Sequence, residues 1–340
     1  MSKMIEKVVT RTDLDEKETF AVFDHIMTGK ATPAQIASFI TALRIKGETV
    51  DEITGAARVM RQRSLKINAG SGNEPVIDTC GTGGTGKNTF NISTTAAFVV
   101  AGCGVKVAKH GNRAASGRCG SADVLEKLGV GIDVPLKVSE KCLKEIGICF
   151  MFAPLYHGAM KYAVAPRKEI GIRTIFNLLG PLCNPAQADC QVMGVCTKNL
   201  TELMAGVLKR LGSKRAYVVH GSGHLDELSI SGLSLVSELK GGRIRSYYLN
   251  PGAFGLRKAP IEAIKGGSAR ANARMVKAVL SGKKGPHRDI VLMNASLALM
   301  AAGKVHDLKE GVKMAGTCID SGRALEKLAV MAKMTSAGTK

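Results

Sequence analysis

The 340 residues include no tryptophan and only nine phenylalanines and five tyrosines. So few rings exclude a base-stacking surface for single-stranded nucleic acid, which interleaves aromatics with cations. They also leave the core to aliphatic, alanine and methionine side chains. No apolar run approaches the roughly 20 residues that span a bilayer as a helix, so no membrane partner is expected. The opening Met1-Ser-Lys-Met-Ile-Glu-Lys7 lacks the apolar centre of a secretory signal. Nine cysteines occur, but none forms a C-x-x-C pair, which removes the spacing of zinc and iron–sulfur sites. Their odd number and apolar surroundings point to free thiols in a reducing cytoplasm. Acidic residues are scarce, 28 against 48 lysines and arginines, for a formal charge of +20. The cations are scattered singly and in pairs. We therefore expect a solvated basic surface that draws in an anionic substrate, and no specific nucleic-acid partner.

Glycine, by contrast, is concentrated. After the apolar Pro75-Val76-Ile77 comes Asp78-Thr-Cys-Gly-Thr-Gly-Gly-Thr-Gly-Lys-Asn-Thr-Phe-Asn-Ile-Ser-Thr-Thr95, and then the apolar run 96–100. Four glycines, Gly81, Gly83, Gly84 and Gly86, let the backbone take positive φ and let an anion reach the amides. A strand, a glycine loop and a helix N-terminus together form a phosphate site. Ser93, Thr94 and Thr95 are expected at the helix cap. The spacing Gly81-(four residues)-Gly86-Lys87 nearly matches the nucleotide-triphosphate loop, but Asn88 lacks the hydroxyl that loop places on magnesium. A second strand–loop–helix unit follows. Residues 105–108 read as a strand delivering Lys109-His110-Gly111-Asn112-Arg113, then small residues 114–120, then a helix from Ser121. Two adjacent loops of this kind suit a ligand with two separated phosphate groups.

The first seventy residues read as helices. Asp15/Glu18, Thr32/Gln35 and Thr49/Glu52 fit capping boxes, Pro33 suits a first helical position, and Gly29 and Gly47 stand where helices stop. Residues 69–75 read as a linker. Beyond it strands at 105–108, 148–152, 191–195 and 217–220 alternate with helices, which predicts a mainly parallel sheet whose ligands gather at the C-terminal strand ends. Residues 335–340 are expected to be a loose tail.

The combination Gly81-Thr-Gly-Gly84, Asn91-Ile-Ser-Thr94, Lys109-His-Gly-Asn-Arg113, Gly120-Ser-Ala-Asp-Val-Leu-Glu126, Arg173-Thr-Ile-Phe-Asn-Leu-Leu-Gly-Pro181 and Asp226-Glu227 resembles the anthranilate phosphoribosyltransferases, over nearly the whole chain. The resemblance implies an α/β protein of the nucleoside phosphorylase-like phosphoribosyltransferase fold: a small all-helical, dimer-forming domain (1–69) and a larger domain (70–340) with a mainly parallel central sheet. Helices near 157–185 are expected to pack with the first domain. It implies transfer of phosphoribosyl from 5-phosphoribosyl-1-diphosphate to anthranilate, with release of pyrophosphate, in tryptophan biosynthesis. Gly81, Gly84, Thr85, Thr89, Asn91, Ile92, Ser93 and Thr94 would line the diphosphate. Lys109, His110, Gly111, Asn112, Arg113, Ala114, Ala115, Ser116, Gly117 and Ser121 would hold the remaining phosphate and ribose. Ser93, Asp226 and Glu227 would bind Mg2+, with two ions expected. Gly81, Asn112 and Arg167 would meet anthranilate, with His110 and His157 beside it. No general base is assigned. A homodimer is implied.

The chain departs from the family pattern at several points. Thr85 replaces the usual Asp, Gly158 stands where proline usually follows the histidine, Gly117-Arg118-Cys119 replaces Ser-Lys-Ser, and Gly223-His224 replaces an acidic residue and glycine. These departures keep another aromatic amine open as acceptor. A pyrimidine nucleoside phosphorylase, a nucleic-acid-binding paralogue and a transition-metal site at His220, His224, Asp226 and Glu227 are the competing readings.

Overall fold

The structure is a computed structural model that describes residues 1–69, 74–84, 86–114 and 117–336. Thr85, Ala115, Ser116, most of the expected linker and the last four residues lie outside them.

Four helices, Ser2–Val9, Glu16–Met27, Pro33–Lys46 and Val50–Arg63, open the chain. Asp15, Thr32 and Thr49 each cap a helix through a reciprocal capping box, satisfying amides that the helix itself cannot. Glu52 does more than cap. Its buried carboxylate also accepts from the Leu14 amide at 3.0 Å and from Lys46 Nζ at 3.0 Å, tying three segments together. Helix Lys161–Ile170 packs on Pro33–Lys46 and Glu16–Met27, and the Phe176 ring lies 5.4 Å from that of Phe23. The mid-chain helices thus share a core with the N-terminal ones.

The sheet has seven strands: β1 Val76–Gly81, β2 Lys106–Gly111, β3 Ile148–Phe152, β4 Cys190–Gly194, β5 Arg215–Gly221, β6 Ser234–Lys240 and β7 Arg243–Leu249. Their order is β3-β2-β1-β4-β5-β6-β7, with β1 to β5 parallel and β6 and β7 antiparallel. The β6–β7 hairpin, absent from the sequence expectation, extends one edge. One face carries the buried helix Ile92–Gly102, packed by Pro286–Ala301; both are apolar on nearly every side, as interior helices must be. The other face packs against the N-terminal helices through Met193, Val195 and Val218. The expected loose tail does not begin at 335, and its remaining residues 337–340 lie outside the described ones. Thr335 is buried in helix Arg323–Ser336, where its hydroxyl accepts from the Gly131 amide at 2.9 Å. Among the described residues no helix is long and apolar enough to cross a membrane, and all nine cysteines are free.

Candidate active site

β1 ends at Gly81, and the glycine loop begins where the parallel strands end. Gly83, Gly84 and Gly86 take φ of 62°, 80° and 67°, the left-handed region that side chains disfavour. Gly84 answers a second demand, since a Cβ there would overlap the guanidinium of Arg173. Arg173 Nη2 donates to the Thr82 carbonyl at 3.3 Å, so this arginine braces the loop from below. The helix starts at Ile92 with Asn91 before it, and the Asn91 side chain does not cap it. Ser93, Thr94 and Thr95 therefore lie inside the first turn and not at the cap. Thr95 turns its hydroxyl back to the Asn91 carbonyl (2.8 Å), the usual recourse of a threonine within a helix. The Ile92 amide donates to the Phe90 carbonyl (2.9 Å), and the positive end of the helix dipole faces an anion bound in the loop.

The second loop leaves β2. Lys109 is buried, and its ammonium donates to the Thr79 carbonyl. Arg113 is not a free cation: Nη1 reaches Asp123 Oδ1 (3.1 Å) and Glu126 Oε2 (2.6 Å), and Nη2 reaches Glu126 Oε1 (2.9 Å). Asp123 also accepts from the amides of Ala114 (3.0 Å) and Gly120 (2.8 Å), closing the loop on itself. Burial pushes the Asp123 carboxyl upward, but those amides and Arg113 outweigh it and hold the group below its ordinary range. Ser121 Oγ donates to the Asn112 carbonyl at 3.2 Å.

Asp226 and Glu227 rise from the loop after β5 against the first loop. Asp226 Oδ2 accepts from the Gly83 amide (3.0 Å) and Glu227 Oε1 from the Ser93 amide (3.1 Å). The approach is close because Gly194 has no side chain: a Cβ there would lie 1.6 Å from the Asp226 carbonyl oxygen. Burial raises both carboxyls above the ordinary range, and for Glu227 the charge of Asp226 adds to it. His220 Nδ1 pairs with the Val195 carbonyl at 2.9 Å, and among the described residues no three His, Cys, Asp or Glu side chains converge as a metal cage. The transition-metal reading thus gains no support here.

These parts enclose a polar cleft of about 340 Å³. Every described residue expected on the diphosphate, ribose or metal lines it: Gly81, Gly84, Thr89 and Asn91 to Thr94 on one side, Lys109 to Ala114, Gly117 and Ser121 on the other, with Asp226 and Glu227. Beside it lies an apolar pocket of about 400 Å³, lined by Arg167, His157, Phe176 and Gly180 among others; His110 and Asn112 line both spaces. Gly81, expected near both substrates, lines only the polar cleft. The Arg167 guanidinium lies over the Phe176 ring, 5.1 Å from its centroid, and has no acidic partner among the described residues. Burial lowers its proton affinity.

The seam between the spaces is a histidine pair. His110 Nδ1 lies 3.1 Å from the Gly180 carbonyl, and His110 Nε2 lies 3.2 Å from His157 Nε2. Burial, and for His110 the neighbouring His157 as well, drops their proton affinities to about 3 and about 4. Both rings are neutral at pH 7, and the carbonyl then dictates their tautomers. His110 carries its proton on Nδ1, and its Nε2 accepts from His157 Nε2–H. His157 Nδ1 is buried; the Cys183 backbone favours the protonated ring, but no hydrogen bond of normal geometry reaches this nitrogen among the described residues. Sequence reasoning gave no role to Arg173, Asn177, Cys119 or Asn272. Arg173 and Asn177 stood inside a quoted motif, whereas Asn272, whose amide donates to Asn91 Oδ1 at 2.8 Å, carried no local signal.

A parallel sheet with a helical bundle, joined at an anion cleft that holds paired carboxylates, is the architecture of a glycosyl transferase. Residues 73–325 match the model "Glycosyl transferase family, a/b domain", and residues 2–64 match "Glycosyl transferase family, helical bundle domain". The anthranilate phosphoribosyltransferase of Geobacter sp. (strain M21) is 55% identical, covering 98% of each chain, and that of Moorella thermoacetica is 56% identical, covering 97% of each. The crystal structure of the Thermus thermophilus enzyme superposes with a TM-score of 0.92 at 42% identity, covering 98% of this chain and 99% of that one. The Saccharomyces cerevisiae enzyme in complex with PRPP and Mg gives 0.89 at 28%, covering 98% and 97%. This chain belongs to the anthranilate phosphoribosyltransferase family.

Proposed function

We propose that the chain transfers the phosphoribosyl group of 5-phosphoribosyl-1-diphosphate to the amine of anthranilate, giving N-(5-phosphoribosyl)anthranilate and pyrophosphate, a step of tryptophan biosynthesis. The carrying observation is the junction of the two spaces: an anion cleft of glycine amides and carboxylates meets, at His110 and Asn112, an apolar pocket whose cations are the half-buried Arg167 and the exposed Lys161. The diphosphate lies on the glycine loop and the helix start at Ile92. The 5-phosphate and ribose lie on the loop 109–121. Anthranilate enters the apolar pocket with its carboxylate on Arg167 and its ring toward Phe176. Such an arrangement holds amine and ribose carbon 1 together, which itself lowers the barrier.

Ser93, Asp226 and Glu227 suit magnesium, which takes a few hard oxygens and keeps waters and phosphate oxygens. Their fit rests on two carboxylates whose charge is poorly solvated and lacks a cationic partner within ion-pair distance among the described residues. Bound there, Mg2+ would offset the charge that grows on departing pyrophosphate; two ions belong to the proposal. Fixed amides of the glycine loop serve the same charge. Arg113 would have to exchange its carboxylate partners for a phosphate, or act by holding the loop closed. The neutral histidine pair presents no charge to the incoming amine.

The proposal includes a domain boundary at 69/70, supported by the family-model spans, and a cytoplasmic setting, supported by nine free cysteines. It also includes a homodimer, supported by exposed Val9, Ile45, Tyr162 and Val164 on helices that pack together. Anthranilate fluorescence, followed with 5-phosphoribosyl-1-diphosphate and magnesium, tests the reaction. Loss of fluorescence is expected. No loss with anthranilate, but turnover of another aromatic amine, would leave the polar cleft's reading standing and replace the acceptor. Phosphorolysis of pyrimidine nucleosides would replace the reaction.

A further inference from the structure

A third cavity, of about 470 Å³, lies between helices Ala269–Leu280 and Pro286–Ala301, outside both spaces just described. Its floor is apolar. Ala271, Met275 and Ala278 recur at helical spacing along one face of the first helix, and Pro286 and the ring of His287 lie across from them. Its other lining is cationic: Arg274, Lys283 and Lys284, with no acidic residue. Lys284 shares Asp320 with Arg288, but Arg274 and Lys283 are exposed and have no ion-pair partner among the described residues. The sixteen-residue helix Pro286–Ala301 starts at this cavity with no side-chain cap, adding its positive end. His287 Nε2 is buried without a hydrogen-bond partner among the described residues.

Two contacts lead from this cavity to the glycine loop. The His287 ring packs edge-on against Phe90, 4.8 Å between centroids, and Phe90 lines the polar cleft. Asn272, next to the cavity residue Ala271, donates to Asn91 at the helix start of the loop (2.8 Å) and accepts from the Gly267 amide (2.7 Å). An occupant that shifts either helix therefore presses on the residues that precede Ile92.

We propose that this cavity is a regulatory site for a small aromatic carboxylate. The apolar floor takes the ring, and Arg274 and Lys283 take the carboxylate. The apolar floor argues against a bare inorganic anion, and the all-cationic rim argues against a neutral ring.

The test follows the methyl signal of Met275, assigned through Met275→Leu, in the full chain carrying Arg167→Ala so that the acceptor pocket does not compete. Titration with benzoate is expected to shift the signal saturably. Arg274→Glu with Lys283→Glu should weaken that binding at least about tenfold, the scale of a lost charge-assisted contact. Benzyl alcohol and inorganic phosphate should each bind far more weakly. An equal response to benzyl alcohol, an equal response to phosphate, or a benzoate response unchanged by the double charge reversal would each overturn the proposal. Calorimetry on the same Arg167→Ala chain reads the coupling: saturating benzoate is expected to change the affinity for 5-phosphoribosyl-1-diphosphate with magnesium at least about threefold. Unchanged affinity would overturn the regulatory role. Failure of the diphosphate to bind at all would count against the transferase reading and not against the site.

Discussion

The polar cleft and the apolar pocket meet at His110 and Asn112, yet they are built by different means. The cleft works through backbone. Three glycines at positive φ, a helix start and two amide-anchored carboxylates make a surface in which side chains are mostly an obstruction. The pocket works through side chains, with one half-buried arginine over a phenylalanine ring and two neutral histidines. A diphosphate carries several charges spread over many oxygens, which suits many fixed donors. Anthranilate carries one charge on a flat ring, which suits one cation in an apolar wall. The comparison implies that the cleft should break when atoms are added and the pocket when atoms are removed.

Gly194→Ala should have the largest effect. The added methyl meets the backbone oxygen of Asp226, which cannot swing away as a side chain would. Overpacking of this kind costs about 1–3 kcal/mol or more of stability. Displacing Asp226 and Glu227 by about an ångström should cost roughly 100-fold in kcat/KM. Denaturant unfolding and a magnesium titration of activity check both. A variant with parental magnesium response would show that the two carboxylates do not depend on this close approach.

Arg167→Ala tests the pocket by removal. Loss of one charge-assisted carboxylate contact, worth about 1.5–3 kcal/mol, should lower kcat/KM for anthranilate roughly 10- to 150-fold, mainly through KM. Diphosphate binding should stay parental. If both substrates weaken together, the separation of the two spaces fails.

The histidine seam gives a pH signature. Folded, the rings stay neutral down to about 4 and about 3; unfolded, they protonate near 6.5. The unfolded chain therefore binds more protons in that window. The pair's contribution to stability is complete above about pH 6.5 and is lost as pH falls toward 4, by up to about 1.4 kcal/mol per unit for each ring. Asp78 runs the other way. Burial raises its carboxyl to about 6, so the folded state keeps a proton that the unfolded state has released, and stability rises as pH falls from about 6 to 4. The total curve mixes these signs. The informative quantity is the stability difference between the parent and a His110→Gln, His157→Gln chain, measured by urea unfolding between about pH 7 and pH 5. That difference should shift against the parent as pH falls. A flat difference would mean that the rings titrate normally when folded.

Much of this arrangement was legible because its signals are local. The capping boxes at Asp15, Thr32 and Thr49 each lie within four residues, and the glycine loop announces its own backbone conformation. The motif spacing also put the described residues of both substrate loops in one cleft. Errors came where a nearby alternative competed. Ser93 to Thr95 are good cap residues, but Thr95 satisfies itself against Asn91 and the helix starts earlier. Thr335 sits in a polar tail sequence, yet a long-range bond to Gly131 buries it. The roles of Gly194 and Asn272 were illegible for a different reason. Each depends on a partner far along the chain, Asp226 and Asn91, and nothing near either residue records that meeting.

The smallest expected change lies at the pocket's rim. Gly158 lines the apolar pocket and opens the short 3₁₀ turn Gly158–Met160. A Cβ there would meet nothing within 4 Å, and among the described residues its amide makes no backbone hydrogen bond. A 3₁₀ turn needs φ near the value that proline fixes, and a first position has no amide bond to lose. Gly158→Pro should therefore stabilise the fold by about 0.4–1 kcal/mol, by restricting the unfolded chain. It should also stiffen the backbone beside His157 and lower KM for anthranilate slightly, with the diphosphate KM unchanged. The cleft needs its glycines at positive φ, whereas Gly158 is not among the residues at positive φ. A Gly158→Pro chain that unfolds more readily than the parent would show that the pocket rim, like the cleft, depends on glycine backbone.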